Sequence, residues 1–509
     1  MTNGADRMTD APDTTGTARA IAPMAAAEGK GALDGKRYLE SLRDDREVWY
    51  RGERIADVTT HPVFAEMAAQ IGRIYDMQHA PETRDVMTYE QENGLRASYS
   101  YLPASKPEHL LLRRGNTEVW VREVFGMCGR LPDFCASMVI GYYDIRGELA
   151  KLNPDLARNT ETYLAYARDN DLCLSHGLHD PCMDKSLRPS QDPDRCVRVV
   201  KERDDGIVVR GARFNTFGLF SNEILISPTY MFAEDEAEFA LWFTVPCNAP
   251  GLKQITREAF SGRNPSDHPV SARFDEVDSL VVFDDVFIPW ERVFLYREPL
   301  AANRLFRGNV MSWASYAGSV LTQLRMEILV AVAHLLATTS GVDKRPNVIS
   351  VLGEMCTYLS LARTSLRAGE IDCQRTEGGH YRPAPAPERR ALVTMVSERF
   401  VELVEHVGTS SLIFLPTAED WTVPELKKHL DVYMRGKGTS PIDRYKLCKL
   451  AWDLTGDGFG SRQQLYERLH SGDPAVMVQN AYRQFDLSVG TELITTFLDL
   501  ERPVTGAPK

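Results

Sequence analysis

The stretch Asp171-Leu-Cys-Leu-Ser-His176-Gly-Leu-His-Asp-Pro-Cys-Met-Asp184-Lys185 marks the place where the chain changes its hydrophobic period. Before it, from Asp34 to about Arg158, the pattern is mostly helical: Val63, Met67, Ile71 and Tyr75 recur at spacings of four, one helix face. Thr59 or Thr60 is expected to cap that helix near Pro62. After it, to about residue 295, the period is two. Cys196-Val-Arg-Val-Val-Lys and Gly206-Ile-Val-Val-Arg-Gly flank Arg203-Asp-Asp-Gly206, a hairpin by turn chemistry. Phe239-Ala-Leu-Trp-Phe-Thr-Val245, Ser279-Leu-Val-Val-Phe283 and Val286-Phe-Ile-Pro289 read as further strands. Beyond Pro299 the helical period returns in three stripes. These are Leu321, Leu324, Ile328, Val332, Leu335; then Val348, Val351, Met355, Leu359, Ala362; then Leu392, Met395, Phe400, Leu403, Val407. A fourth helix is expected over Pro441–Leu454. The predicted fold class is α+β and mostly α. It comprises a helical domain over 33–171, a small antiparallel barrel over 172–298 and a four-helix bundle over 299–509, after a disordered leader at 1–32.

Composition limits the function classes. The 509 residues exceed what one core usually serves, and 43% apolar with 26% charged is ordinary for a globular enzyme. A net charge of −12 without a basic patch argues against nucleic-acid binding. The nine cysteines include no Cys-x-x-Cys, so neither a zinc ribbon nor a disulfide framework is expected, and a reduced, cytoplasmic setting is the simple expectation. The first thirty residues lack the features of a signal peptide, and no apolar run of about 18 residues suggests a membrane span.

Four constellations bear chemistry. A short apolar run delivers His176, and the hairpin that follows ends at Thr216, a layout that places an imidazole and a hydroxyl at the rim of one cavity. In Gly129-Arg130-Leu-Pro132-Asp133-Phe134 an arginine precedes a proline-fixed turn, well placed to project into a cleft. Cys182, Met183, Asp184 and Lys185 put donors and an acid on a loop. Gly456-Asp-Gly458-Phe459-Gly460-Ser461-Arg462 frees the backbone for close approach and supplies a charge for a pyrophosphate. That run follows a helix, so it is no Rossmann fingerprint. His176 and His179 lack a third ligand at metal spacing, and no metal is expected. Each feature also has a plain structural reading: a core histidine, a surface arginine, a turn, a helix cap.

Together these residues resemble the large oxygenase component of the two-component 4-hydroxyphenylacetate 3-monooxygenases, a family that includes chlorophenol and carrier-bound tyrosine hydroxylases. The resemblance runs from about Gly35 to the end. It is carried in order by Tyr38-Leu-Glu-Ser-Leu, Gly52-Glu-Arg-Ile-Ala-Asp-Val-Thr-Thr-His-Pro62, Gly129-Arg-x-Pro-Asp133, Arg273-Phe-Asp-Glu276, Val286-Phe-Ile-Pro-Trp-Glu291 and Phe459-Gly-Ser-Arg462. It implies an acyl-CoA dehydrogenase-like architecture with a flavin between barrel and bundle. Arg130 and His176 would hydrogen-bond the phenolic oxygen, with Phe134, Phe217 and Gly218 lining the substrate. Thr216 would sit near the flavin N5, Cys182 to Lys185 under the isoalloxazine, and Gly458, Phe459, Gly460, Ser461 and Arg462 near the phosphates. The chain departs from the phenylacetate enzymes at Phe134, where they have tyrosine, at Lys185 for arginine and at Ser461 for glycine. The implied reaction takes FADH2 from a separate NAD(P)H flavin reductase, forms a hydroperoxide at the flavin C4a with O2, and hydroxylates a phenol ortho to its hydroxyl. The phenol is small, free or presented on a carrier protein; a homotetramer or homodimer is implied, without nucleic acid or membrane. The rival reading is an acyl-CoA dehydrogenase or 4-hydroxybutyryl-CoA dehydratase, the second needing grouped iron–sulfur ligands, and Cys128 and Cys135 stand apart.

Overall fold

The computed structural model describes residues 21–24, 29–129, 131–181, 184–228, 231–470 and 472–500. Arg130, Cys182 and Met183 therefore lie outside the described residues. Ahead of the period change stand helices α1 (Gly35–Ser41), α2 (Ala65–Met77), α3 (Glu108–Glu123), α4 (Pro132–Asp144) and α5 (Pro154–Asp169). After the sheet come α6 (Met311–Ser340), α7 (Pro346–Ile371), α8 (Pro387–Gly408), α9 (Pro441–Leu454), α10 (Gly458–His470), α11 (Pro474–Arg483) and α12 (Ser488–Phe497). Several begin on proline, whose fixed φ suits the first turn and whose missing N–H is no loss there. The longest, α6, stops at Gly341, whose φ of 70° takes the left-handed cap.

The main sheet has ten strands: β1 (Glu47–Tyr50), β2 (Glu53–Ile55), β3 (Leu174–His179), β4 (Arg198–Arg203), β5 (Gly206–Thr216), β6 (Glu223–Ile226), β7 (Leu241–Pro246), β8 (Leu252–Thr256), β9 (Ser279–Pro289) and β10 (Val293–Tyr296). Their order is β10-β7-β6-β3-β5-β9-β8-β1-β2, with β4 also paired to β5. Two points correct the expected antiparallel barrel. The sheet is open, because its end strands β10 and β2 do not pair. It is also mixed, since β3 runs parallel to β6 and β1 parallel to β8. The sheet curls nonetheless. Phe243 of β7 and Phe283 of β9 meet edge to face, ring centroids 6.0 Å apart, in an inner core with Ile207, Val209, Ile226, Val281 and Ile288. The opposite face carries Leu174, Phe217, Leu225 and Trp242 into the helical core.

The predicted hairpin is β4–β5, turning at Asp204 and Asp205. The stretch before the period change is not all helix, because β1 and β2 extend the sheet. Residues 21–24, expected as part of a leader, pack: Ile21 and Met24 are buried, and the Met24 N–H donates to Glu291 Oε1 at 2.9 Å.

Helix α6 is the axis of the helical half and packs on α3, α4, α7 and α8, with α9 laid against α6 and α8. The stretch Pro299–Ser340 is long and apolar enough by composition to cross a membrane, although Arg325 and Glu327 interrupt its apolar run. Here Trp313, Val320, Leu324, Leu329, Val332 and Leu336 are buried among helices, which makes it the core helix of the bundle. Two stripe residues face out instead, Leu335 at 48% and Met395 at 64% exposure, while their neighbours Leu336 and Val396 are buried.

Candidate active site

His176 and Thr216 are directly opposite each other on the antiparallel pair β3–β5. Opposite residues share a face with Cβ atoms about 5 Å apart, so imidazole and hydroxyl stand side by side. His176 is buried and Thr216 half-buried. Helix α4 brings Phe134 to the same spot, its ring centroid 5.6 Å from that of His176. The proline at the first position of α4 sets the entry of Phe134, and Gly129 lies against α10. A Cβ on Gly129 would meet the Tyr466 ring at 2.4 Å. The order Gly129, Phe134, His176, Thr216 in the chain thus becomes one neighbourhood.

The reverse face of the sheet fixes the pair. Asn215 donates from Nδ2 to the His176 carbonyl at 3.0 Å and to Ser175 Oγ at 3.1 Å. Sequence reading missed Asn215; its signal was a polar residue on a strand position that alternation buries. Phe217 follows Thr216 with φ 73°, a left-handed conformation that costs a bulky residue energy and persists only where its surroundings enforce it. Gly218 then starts a short turn, fully buried.

On the face of Thr216 the sheet presents a cross-strand row: Phe214 opposite Leu280, Leu280 opposite Ile255, Ile255 opposite Trp49. Phe214 is 42% and Ile255 47% exposed, an apolar strip that a flat ring system would cover. The strip ends at a cleft of about 510 Å³ lined by Trp49, Arg51, Lys253 and Ile255. This is a bed of the right kind for FAD, apolar along the sheet with a hydroxyl and an imidazole at one end.

The glycine-rich run is not a loop. Gly458 to Arg462 form the first turns of α10, whose leading amides lack intrahelical partners by geometry. Asp457 caps it, accepting from the Gly458 N–H at 2.7 Å, and is held by Arg263 at 2.9 Å and His268 Nδ1 at 2.9 Å. Asp453 lies beside this group, 4.0 Å from the Arg263 guanidinium, which supplies the positive charge among these acids. The glycines serve packing: a Cβ on Gly460 would stand 2.5 Å from the Thr455 amide nitrogen, and one on Gly458 2.8 Å from the Phe260 ring. Phe459 is fully buried.

Arg462 departs from expectation. Its guanidinium does not stand free for a pyrophosphate but pairs with Glu276 at 3.2 Å and with Asp278, and lies over the Tyr466 ring. Burial raises the Glu276 carboxyl above the usual carboxylate range against the pull of Arg462. Burial is outweighed at Asp278, which Arg462 and Arg257 hold below the usual carboxylate range. Because Asp278 adjoins Ser279, the partner of Asn215, this ion cluster ties α10 to the strand beside Thr216. Asp184 and Lys185 are exposed; Asp184 accepts from the Ser186 amide at 2.9 Å, and Arg195 donates to the Asp184 carbonyl. Asp133, on the first turn of α4, is buried toward α3 and its carboxyl rises to about 6, chiefly from burial, with a hydrogen bond from Thr117 and the Arg113 charge opposing.

Comparison with known proteins covers most of the chain. The family described as 4-hydroxyphenylacetate 3-hydroxylase matches in both parts, N-terminal over residues 34–295 and C-terminal over 302–499. The 4-hydroxyphenylacetate 3-monooxygenase oxygenase component of Thermus thermophilus is 35% identical over 474 residues, 92% of this chain and 97% of that one. A Streptomyces globisporus monooxygenase, named for a (3S)-3-amino-3-(3-chloro-4-hydroxyphenyl)propanoyl group on a peptidyl-carrier protein, is 30% identical over 470 residues, 90% of this chain and 88% of that one. A crystal structure of a 4-hydroxyphenylacetate 3-monooxygenase oxygenase component, complexed with FAD and 4-hydroxyphenylacetate, superposes with a TM-score of 0.87 at 35% identity, covering 92% of this chain and 98% of that one. Sequence and fold converge: the chain belongs to the 4-hydroxyphenylacetate 3-hydroxylase family.

Proposed function

We propose that this protein is the oxygenase component of a flavin-dependent aromatic monooxygenase that adds oxygen ortho to the hydroxyl of a 4-hydroxyphenyl substrate. The cofactor is reduced FAD handed over by a separate reductase, and O2 is the second substrate. The observation that carries this reading is the cross-strand pairing of buried His176 with Thr216, at the end of an apolar strip, in a chain of this family.

Reduced FAD, when bound, supplies the oxygen-activating chemistry, and the protein supplies orientation. The row Phe214, Leu280, Ile255 fits the flat ring system. Thr216, paired with His176, would offer its hydroxyl to the ring system. His176 accepts the proton of the phenol, which enriches the ring in electrons at the carbon to be hydroxylated; Arg130 keeps the role of holding the phenolic oxygen. The buried setting of His176, Phe134 and Phe217 excludes water, which protects a reactive oxygen donor from futile decay. Phe134 brings a ring and no hydroxyl to the imidazole. That suits a substrate anchored by its own side chain, free or borne on a carrier protein as the Streptomyces relative's name describes. Arg462 is a positioning residue for α10, acting through Glu276 and Asp278.

Self-association into a homodimer or homotetramer belongs to this reading. Helix α12 buries none of its residues, and Val489, Leu493, Ile494 and Phe497 are each more than half exposed.

The test is His176→Ala. Catechol formation is expected to fall by about 10²–10⁴ while reduced FAD still binds. Undiminished catechol yield per O2 consumed removes His176 from the chemistry and the reading with it.

A further inference from the structure

The turn after Thr216 is held in an unusual way. Each of its four carbonyls, from Gly218 to Ser221, ends on a buried side chain. The Gly218 carbonyl accepts from Ser221 Oγ at 3.1 Å and Cys247 Sγ at 3.5 Å. The Leu219 and Ser221 carbonyls both accept from Arg46 Nη1, each at 2.9 Å. The Phe220 carbonyl accepts from the Tyr38 hydroxyl at 2.8 Å and Cys173 Sγ at 3.1 Å. Arg46 is itself oriented by Asp44, which takes its Nε at 2.6 Å and Nη2 at 2.9 Å. A guanidinium fixed by a carboxylate on one side presents its remaining donors in a rigid fork on the other.

The two principal donors come from far away in sequence. Tyr38 lies on α1 and Arg46 just before β1, in a segment that carries the family resemblance yet touches none of the candidate chemistry. Asn222, the next residue, is also tied there, donating from Nδ2 to Ser41 Oγ at 2.8 Å. Phe217 sits immediately before the clamped carbonyls in its left-handed conformation, fully buried, its ring 5.5 Å from Phe220. A phenylalanine does not keep that backbone unaided.

We propose that Arg46 and Tyr38 are positioning residues that clamp the Gly218–Ser221 turn from behind and thereby hold Phe217 and Thr216 in the shape that keeps the oxygen-transfer cavity closed to water. The inference deepens the proposed function and rests on Thr216 and Phe217 lining that cavity. Loss of the clamp frees Phe217 to relax to the common backbone region, carrying its ring off the wall and letting oxygen leave as peroxide instead of entering the phenol.

The experiment uses the full chain, with His176→Ala measured in parallel. In Arg46→Met without flavin, hydrogen exchange at the amides of residues 217–221 is expected to rise about tenfold or more, with helix Met311–Ser340 unchanged. With reduced FAD and O2, the share of oxygen released as hydrogen peroxide is expected to rise while FAD affinity stays within about twofold, since no cofactor contact is removed. Arg46→Lys, which keeps the charge but not the fork, is expected between the two. Where Arg46→Met does not fold, Tyr38→Phe, which deletes a single hydroxyl, is read on the same two measures. Unchanged exchange and unchanged peroxide share in a folded variant overturn the clamp. Retained hydroxylation in His176→Ala overturns the active-site reading instead, and the exchange measurement still decides whether the clamp exists.

Discussion

Gly218 shows how tightly single residues are specified around His176. A Cβ there would stand 2.0 Å from Asn215 Oδ1 and 2.5 Å from Gln254 Oε1. Gly218→Ala is therefore expected to push Asn215 off the His176 carbonyl and to destabilise the protein by about 1–3 kcal/mol. A urea midpoint equal to that of the parent would contradict this. Asp133 makes a second prediction at the same scale. Burial lifts its carboxyl to about 6, above the usual value near 3.9 of an unfolded chain. Between those values the folded protein keeps the proton that the unfolded chain has released. The stabilisation is therefore complete below pH 4 and disappears as pH rises through 6, up to ~3 kcal/mol for two units. Asp171, raised to about 6 chiefly by burial, acts in the same direction. Asp133→Asn should flatten the fall in urea midpoint between pH 4 and pH 7, and an unaltered slope would exclude Asp133 as a source. At this scale the sequence showed His176 on one strand and Thr216 at the end of a later hairpin, and the family resemblance named them; their direct pairing is a non-local register that no local pattern fixes. The partners of Arg462 were not, since Glu276 and Asp278 are remote in sequence and no local pattern pairs charges across that distance.

Elements were legible where local chemistry sets them. The hairpin followed from its Asp-Asp-Gly turn, and α9 spans Pro441–Leu454 as predicted because Pro441 and the Ser440 cap define its start. Helix α2 begins at Ala65, not near Pro62, because Asp57 engages Thr59 and Thr60 in a turn that uses up the expected cap. The glycine-rich run read as a loop and is a helix start, since packing against Thr455 and Phe260 compensates its poor helix propensity. A ranking follows for α10. Gly460→Ala collides with backbone and should cost more stability than Gly458→Ala, which meets the edge of the Phe260 ring. Thermal unfolding of the two variants compares them, and the reverse order would show that the helix start, not the Thr455 contact, sets the cost.

For the whole molecule the sequence conveyed helix, sheet and helix in order, and missed closure and strand direction. Alternation reports which face of a strand is buried but not which neighbour it pairs with. The exposed apolar side chains of α11 and α12 belong to this scale too. Leu493→Asp with Phe497→Asp is expected to lower the molecular mass in light scattering behind size exclusion, with helical content kept; an unchanged mass would remove this face from self-association.

The parallel pairing of Glu47–Trp49 with Lys253–Ile255 has a consequence for biosynthesis. At ordinary translation speeds the ribosome delivers the second strand roughly 10–40 s after the first. Throughout that interval the strand of Val48 and Trp49, paired on one side with Glu53–Ile55, leaves its other edge without the partner it has in the finished fold.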